Sequence, residues 1–238
     1  MDRPTEVIRF YDILEELERR LGGMRRLADC RGRMQWPLRG VYFFFETGEP
    51  RSTTRAGSRV VRVGTHGLKL NSRSKLWTRL SQHRGNPKGG NHRGSIFRLL
   101  VGEALRSNMK QIEPKSWGVC SDPGKAGVKL VCSRSDIVER ERELEILVSR
   151  YIGQIPFLWL AINDPPGPES LRGYVERNAI ALLSNYNGRE DIDSSSKTWL
   201  GRLSSRERVT RSGLWNNIHV DEPYTPDFLV RFEKLVIG

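Results

Sequence analysis

Apolar positions along the chain change period from helix-like to strand-like and back. Phe10, Ile13, Leu14, Leu17 and Leu21 recur every three or four residues, the spacing of one helix face. Thr5 is the expected N-cap of that helix and Gly22-Gly23 its stop. The aromatic run GVYFFFE (40–46) and the alternating RVVRV (59–63) read as strands, joined as a hairpin by polar TGEPRSTTRAGS. Residues 74–84 place Leu76, Trp77 and Leu80 on one side of a short helix. The Gly-rich GNPKGGNHRG (85–94) reads as a loop, and Ser95 caps a helix to about Arg106. Residues 107–135 carry no clear period. Asp136 or a neighbour opens a helix through VERERELEILVSRYIG that ends at Gly153. PFLWLAI (156–162) is a near-continuous apolar run, hence a buried strand, and LRGYVERNAIALLSNY (171–186) returns to helical spacing. A short helix near 204–212 follows, then a last one with Thr225 as N-cap and Pro226 at its first position.

Composition narrows the class. At 238 residues with 37% apolar content, and with no repeat or long linker, the chain suits one domain with embellishments. Cys30, Cys120 and Cys132 form no CxxC pair and no zinc-finger spacing, so free thiols in a reducing compartment are expected. No apolar run reaches membrane-spanning length and MDRPTEVIRF lacks a signal-peptide core, which places the expected location in the cytoplasm, with no membrane partner. Charge adds more. Residues 51–102 hold twelve Lys or Arg and no Asp or Glu, whereas the other 28 basic residues are matched by 28 acidic ones. Solvated faces usually mix signs, so a one-sign stretch with strand and helix patterns points to a polyanion, nucleic acid above all. Arg73, Lys75, Arg84, Lys88, Asn91, His92 and Arg93 are its candidate contacts.

The ordered motifs resemble the GIY-YIG nuclease superfamily. GVY (Gly40, Val41, Tyr42) stands where that family has GIY, and RVG (Arg62, Val63, Gly64) where it has YIG. RLSQH matches its Arg-x-x-x-Tyr/His helix, and YVERNAIALLSNY the helix of its metal-binding glutamate. The resemblance implies an α+β fold, a small central antiparallel sheet flanked by helices, with helical insertions and an N-terminal helix. It divides the chain into an N-terminal helical extension (1–35), a catalytic core (36–84 and 154–187), an insertion (85–153) and a C-terminal helical extension (188–238). It also implies that Tyr42 and His83 belong to the proton-transfer apparatus, that Arg79 holds the scissile phosphate, and that Glu176 binds a divalent cation, Mg²⁺ or Mn²⁺. Three positions depart from the pattern. Arg62 replaces the second tyrosine, Thr65 and then His66 follow where a lysine is frequent, and the late asparagine has only Asn187, Asn216 or Asn217 as counterparts. Proton abstraction is then expected at Tyr42, helped by His83 or His66, with Arg62 favouring the phenolate.

The residues suit that chemistry on their own terms. Phosphodiester hydrolysis needs an activated water, a cation on the non-bridging oxygens and stabilisation of the leaving oxygen. Arg79 offers planar donors for phosphate, and His83 lies one helical turn away. Glu176 falls among Val175, Ala179 and Leu182 on a half-buried face, whereas Glu143 and Glu145 in ERERELE read as surface i, i+4 partners. The glycines of 85–94 lack the strand-to-helix context and Lys-Ser/Thr of a P-loop. The expected function is a metal-dependent endonuclease of restriction or defence type acting on double-stranded DNA. The segments 85–135 and 187–215 are of a size to read sequence or build a homodimer. A non-catalytic nucleic-acid-binding protein on a degenerate scaffold, favoured by Arg62, is the competing expectation.

Overall fold

The computed structural model describes residues 2–54, 56–108, 115–186 and 188–238. Helix α1 (Arg3–Leu21) leads into a short strand β1 (Arg25–Arg26). The hairpin β2 (Gly40–Pro50) and β3 (Ser58–Gly64) comes next, then α2 (Leu76–Arg84) and α3 (Ile96–Asn108). Helices α4 (Pro123–Leu130) and α5 (Arg134–Gln154) precede β4 (Pro156–Ala161) and α6 (Leu171–Leu183), and α7 (Glu207–Ser212) and α8 (Phe228–Ile237) finish the chain. The sheet order is β1-β4-β2-β3 and every pairing is antiparallel. This is the expected α+β fold, a small central antiparallel sheet flanked by helices.

Alternation along β2 sets the two layers. Val41, Phe43 and Phe45 point to one face, where they meet α1, α6 and α8. Phe10 of α1 stacks on Phe232 of α8 there, ring centroids 5.4 Å apart. Tyr42 and Phe44 point to the opposite face, covered by α2, α3 and α5 through Leu80, Phe97, Leu144 and Val148. Each of these buried apolar side chains contributes on the order of 2 kcal/mol relative to exposure. Because both faces are covered, β2 reads as an unbroken apolar run. The segment 85–153 thus supplies most of one covering layer, and residues 1–35 supply α1 of the other.

A bulge alters the register of the hairpin. Phe44 pairs with Arg62 but Phe45 pairs with Val60, leaving Val61 as the extra residue. Val61 and Arg62 consequently both turn toward the α3 side, where Arg62 lies 5.0 Å over the Phe97 ring. The free edge of β3 is covered by the chain at 215–216. Trp215 donates its backbone N–H to Val61 O at 2.7 Å, and the Asn216 amide brackets Val63, accepting at 3.2 Å and donating at 2.9 Å.

Several helix ends differ from the sequence expectation. Asp2, rather than Thr5, caps α1, because its carboxylate accepts from Thr5 N–H. Ser133 caps α5 in a reciprocal capping box with Asp136. Helix α2 starts at Leu76 rather than 74, and α6 ends at Leu183 rather than 186. Helix α8 begins at Phe228 after a turn in which Phe228 N–H donates to Thr225 O, so Thr225 and Pro226 precede the helix. Within 107–135, where no period was visible, Asp122 and Pro123 start α4.

Candidate active site

Tyr42 and Gly64 face each other across the hairpin. A Cβ at Gly64 would stand 2.5 Å from the Tyr42 hydroxyl, so only glycine lets the ring lie across β3. The buried hydroxyl then sits 2.8 Å from Nε2 of His83, on the last turn of α2. Nδ1 of His83 is 2.7 Å from Ser95 Oγ. Ser95 Oγ also accepts the Arg98 backbone N–H at 3.2 Å, and the Arg98 guanidinium donates to His83 O at 3.0 Å. Burial, and then the charges of Arg79, Arg62 and Arg98, hold His83 well below the ordinary imidazole range, so the ring is neutral at pH 7.

Arg62 is buried beside this pair. Its Nη1 donates to the carbonyl of Trp215. Burial lowers its affinity for a proton, Tyr42 and Glu176 raise it again, and Arg79 lowers it. Glu176, on α6, is 9% exposed and accepts Thr65 N–H at 3.1 Å on Oε1. Thr65 in turn donates its hydroxyl to Gly40 O at 2.8 Å, tying the ends of β2 and β3 to the carboxylate. Burial pushes the Glu176 carboxyl up, against the opposing pull of Arg62, His219, the Thr65 N–H and Arg79. His66 is buried two residues beyond Gly64, and Arg172 donates to its carbonyl. Burial first, and then Arg172, push His66 down to about 4.

Arg79 is the common neighbour. Its Nη1 donates to Gly94 O at 2.9 Å and to Gln82 Oε1 at 3.1 Å, with no carboxylate partner among the described residues. Its charge acts on Arg62, His66, His83 and Glu176 alike. The fold therefore brings Tyr42, Arg62, Arg79, His83 and Glu176 together from four elements, with His66 buried in the loop after β3 within reach of the Arg79 charge. Ser95, Thr65 and His219 also bear on this centre, although no motif marks them. Ser95 was legible as a helix cap, which it is, but its bond to His83 depends on how α3 docks on α2. Asn216 is committed to the β3 edge, and Asn187 lies outside the described residues.

Among the described residues no group of three or more His, Cys, Asp or Glu is placed to enclose a metal ion. Glu176 is one hard carboxylate with a single N–H partner among the described residues. That donor set fits a hard divalent cation that keeps most of its water, as Mg²⁺ does.

The basic stretch separates into two populations. Arg51, Arg59, Arg93 and Arg98 find carboxylates outside the stretch, at Glu15, Glu49, Glu141 and Glu145. Arg93 is inward, bonded also to Ser116 O and Val119 O. His92 is 2% exposed, stacked on Trp117 and hydrogen-bonded to Glu145 at 2.9 Å. Both therefore hold the fold and offer no charge to a partner, a correction to the contact set expected from the stretch. Glu145 is corrected too: it is 5% exposed, not a surface partner. Asn91 accepts Arg93 N–H at 3.0 Å, and Arg84 donates to Cys30 O at 2.7 Å over the Trp77 ring. Arg73, Lys75 and Lys88 are exposed and, among the described residues, unpaired.

No helix among the described residues is long and apolar enough to cross a membrane. No curated protein and no solved structure matches the chain. A family model described as a GIY-YIG domain does match, over residues 1–238. On that match the chain belongs to the GIY-YIG domain family.

Proposed function

We propose that the protein is a divalent-metal-dependent endonuclease that hydrolyses phosphodiester bonds in double-stranded DNA, of restriction or defence type, with the chain acting as one catalytic domain. The supporting observation is the 2.8 Å contact between the Tyr42 hydroxyl and a neutral His83, in a centre that also holds Arg62, Arg79 and Glu176. In the tautomer this mechanism uses, Nδ1–H of His83 donates to Ser95 Oγ and Nε2 is the acceptor for Tyr42. The Tyr42 oxygen takes the proton of the attacking water as its own proton shifts toward His83 Nε2, so that the charge gained by the buried ring is offset by the negative charge growing on the phosphate and no free phenolate stands alone. Arg62 and Arg79 stabilise that negative charge, and Arg79 holds the phosphate. Glu176 holds the cation, which supplies Lewis-acid stabilisation of the phosphate oxygens when bound.

The reading is tested by nicking of supercoiled plasmid with Mg²⁺, with EDTA, and with Tyr42→Phe. Metal-dependent nicking lost in Tyr42→Phe supports it. Arg62 favours the second reading, a binding protein on a degenerate scaffold, because its guanidinium is engaged with Trp215 O where the family has a tyrosine. Tight duplex binding without nicking at any Mg²⁺ or Mn²⁺ concentration would establish that reading instead.

A further inference from the structure

A cleft of about 520 Å³ opens between the loop after β1, the end of α2 and the C-terminal half of α5. None of the six candidate catalytic residues lines it. Its volume lies within the range of small-molecule sites, about 300–1,000 Å³. Three guanidiniums, Arg31, Arg84 and Arg150, line it together with Asn86, Pro87 and Ile146, and no acidic residue does. Arg150 makes no hydrogen bond or ion pair among the described residues. Arg31 donates only to the carbonyls of Ala28 and Cys30, at 2.8 and 2.9 Å. Arg84 is fixed from one side by Cys30 O and the Trp77 ring, which leaves Nη2 without a partner among the described residues.

Three cations that line one cleft with no carboxylate in its wall repel one another, and the arrangement is stabilised when an anion enters. Guanidinium forks match the oxygens of a phosphate in pairs. The cleft is larger than one phosphate needs, and the Pro87 and Ile146 wall is apolar. We infer that this cleft is a second anion site that binds a nucleotide, its phosphate on Arg31, Arg84 and Arg150 and its nucleoside against the apolar wall. The nucleotide has two sources, a unit of the bound nucleic-acid strand or a free mononucleotide. Only the first rests on the nuclease reading.

The full chain is titrated calorimetrically with a deoxynucleoside 5′-monophosphate, the matching nucleoside and inorganic phosphate, and separately with a DNA duplex. The same titrations are run on Arg31→Ala/Arg150→Ala, whose side chains are exposed, with a melting curve to verify folding. The expected result is nucleotide binding at least tenfold tighter than nucleoside or phosphate, and lost in the double variant. A parallel fall in duplex affinity, with the salt slope reduced by about 1–2, assigns the nucleotide to the bound strand. Unchanged duplex affinity assigns it to a free nucleotide. Equal binding of nucleotide and nucleoside, phosphate binding as tight as nucleotide, or a folded double variant that binds as the parent does, each overturns the proposal. Failure to nick plasmid bears on the nuclease reading alone, because these titrations need no cleavage.

Discussion

The Tyr42 hydroxyl lies 2.8 Å from Nε2 of His83, and the other nitrogen of that ring lies 2.7 Å from Ser95. Tyr42→Phe keeps the ring in its place opposite Gly64 and removes only the hydroxyl. It is expected to lower kcat by roughly 10²–10⁴-fold, the range of a lost acid–base group, with KM nearly unchanged. It also leaves Nε2 unpaired, at a cost of about 1–3 kcal/mol in stability. Stopped-flow cleavage and urea unfolding measure the two effects separately.

Ser95 is a positioning residue, since it acts through His83. Ser95→Ala should lower kcat by roughly 10–100-fold, as loss of orienting partners does elsewhere, and cost about 1 kcal/mol as a lost cap. Ser95→Thr keeps the hydroxyl and should restore most of kcat and the parent's kcat–pH profile. A role confined to capping would lower stability and leave that profile unmoved in Ser95→Ala.

His66 links stability to pH. Its proton affinity is depressed in the fold, to about 4 against about 6.5 unfolded. The unfolded chain therefore binds more protons between these values, and stability is present above pH 6.5 and lost as pH falls toward 4. The loss from this group is on the order of 3 kcal/mol across that window. Urea unfolding of His66→Gln should show a shallower decline between pH 6.5 and 4 than the parent, and an equal decline would contradict the assignment.

Glu145→Gln should destabilise the protein by about 3–5 kcal/mol, because the buried Arg98 guanidinium loses its counter-charge. Arg98 holds the His83 carbonyl, so kcat should fall as well, while duplex affinity at 10 °C, where the variant is still folded, stays close to the parent's. This outcome could not be read from ERERELE. Helical spacing pairs charges along one surface, and it is blind to an arginine arriving from α3. The same blindness affects the basic stretch: four of its arginines are neutralised by glutamates outside it, 10 to 48 residues from the arginine they pair with. By contrast, β2, β3 and β4 were legible because alternation and apolar runs are local signals. Tyr42, Arg79, His83 and Glu176 were singled out by resemblance alone. The approach of Tyr42 to His83 depends on the glycine at 64, and that of Arg62 to both on the bulge at Val61, which no spacing rule describes.

Arg73, Lys75 and Lys88 remain as exposed, unpaired cations among the described residues. Their joint replacement by Ala should reduce the slope of log K against log salt for duplex binding by up to about 3, roughly 0.9 per lost phosphate contact. Fluorescence anisotropy between 50 and 200 mM salt gives the slope. An unchanged slope would move the duplex to another face.

Glu176, as proposed above, carries the catalytic cation beside the Tyr42–His83 pair. The most direct test of that role is the single-turnover cleavage rate of a duplex against Mg²⁺ concentration, for the parent and Glu176→Gln, with both proteins saturated with duplex. Glu176→Gln keeps the shape of the side chain and relieves a buried carboxyl whose ionisation the fold opposes, so it should be folded and bind the duplex within about threefold of the parent. The parent rate should rise with Mg²⁺ to saturation, and the variant rate should be at least 10³-fold lower, in line with roughly 4 kcal/mol of lost transition-state stabilisation, at every Mg²⁺ concentration. A folded Glu176→Gln that cleaves at the parent's rate, with the parent's Mg²⁺ dependence, would contradict that role.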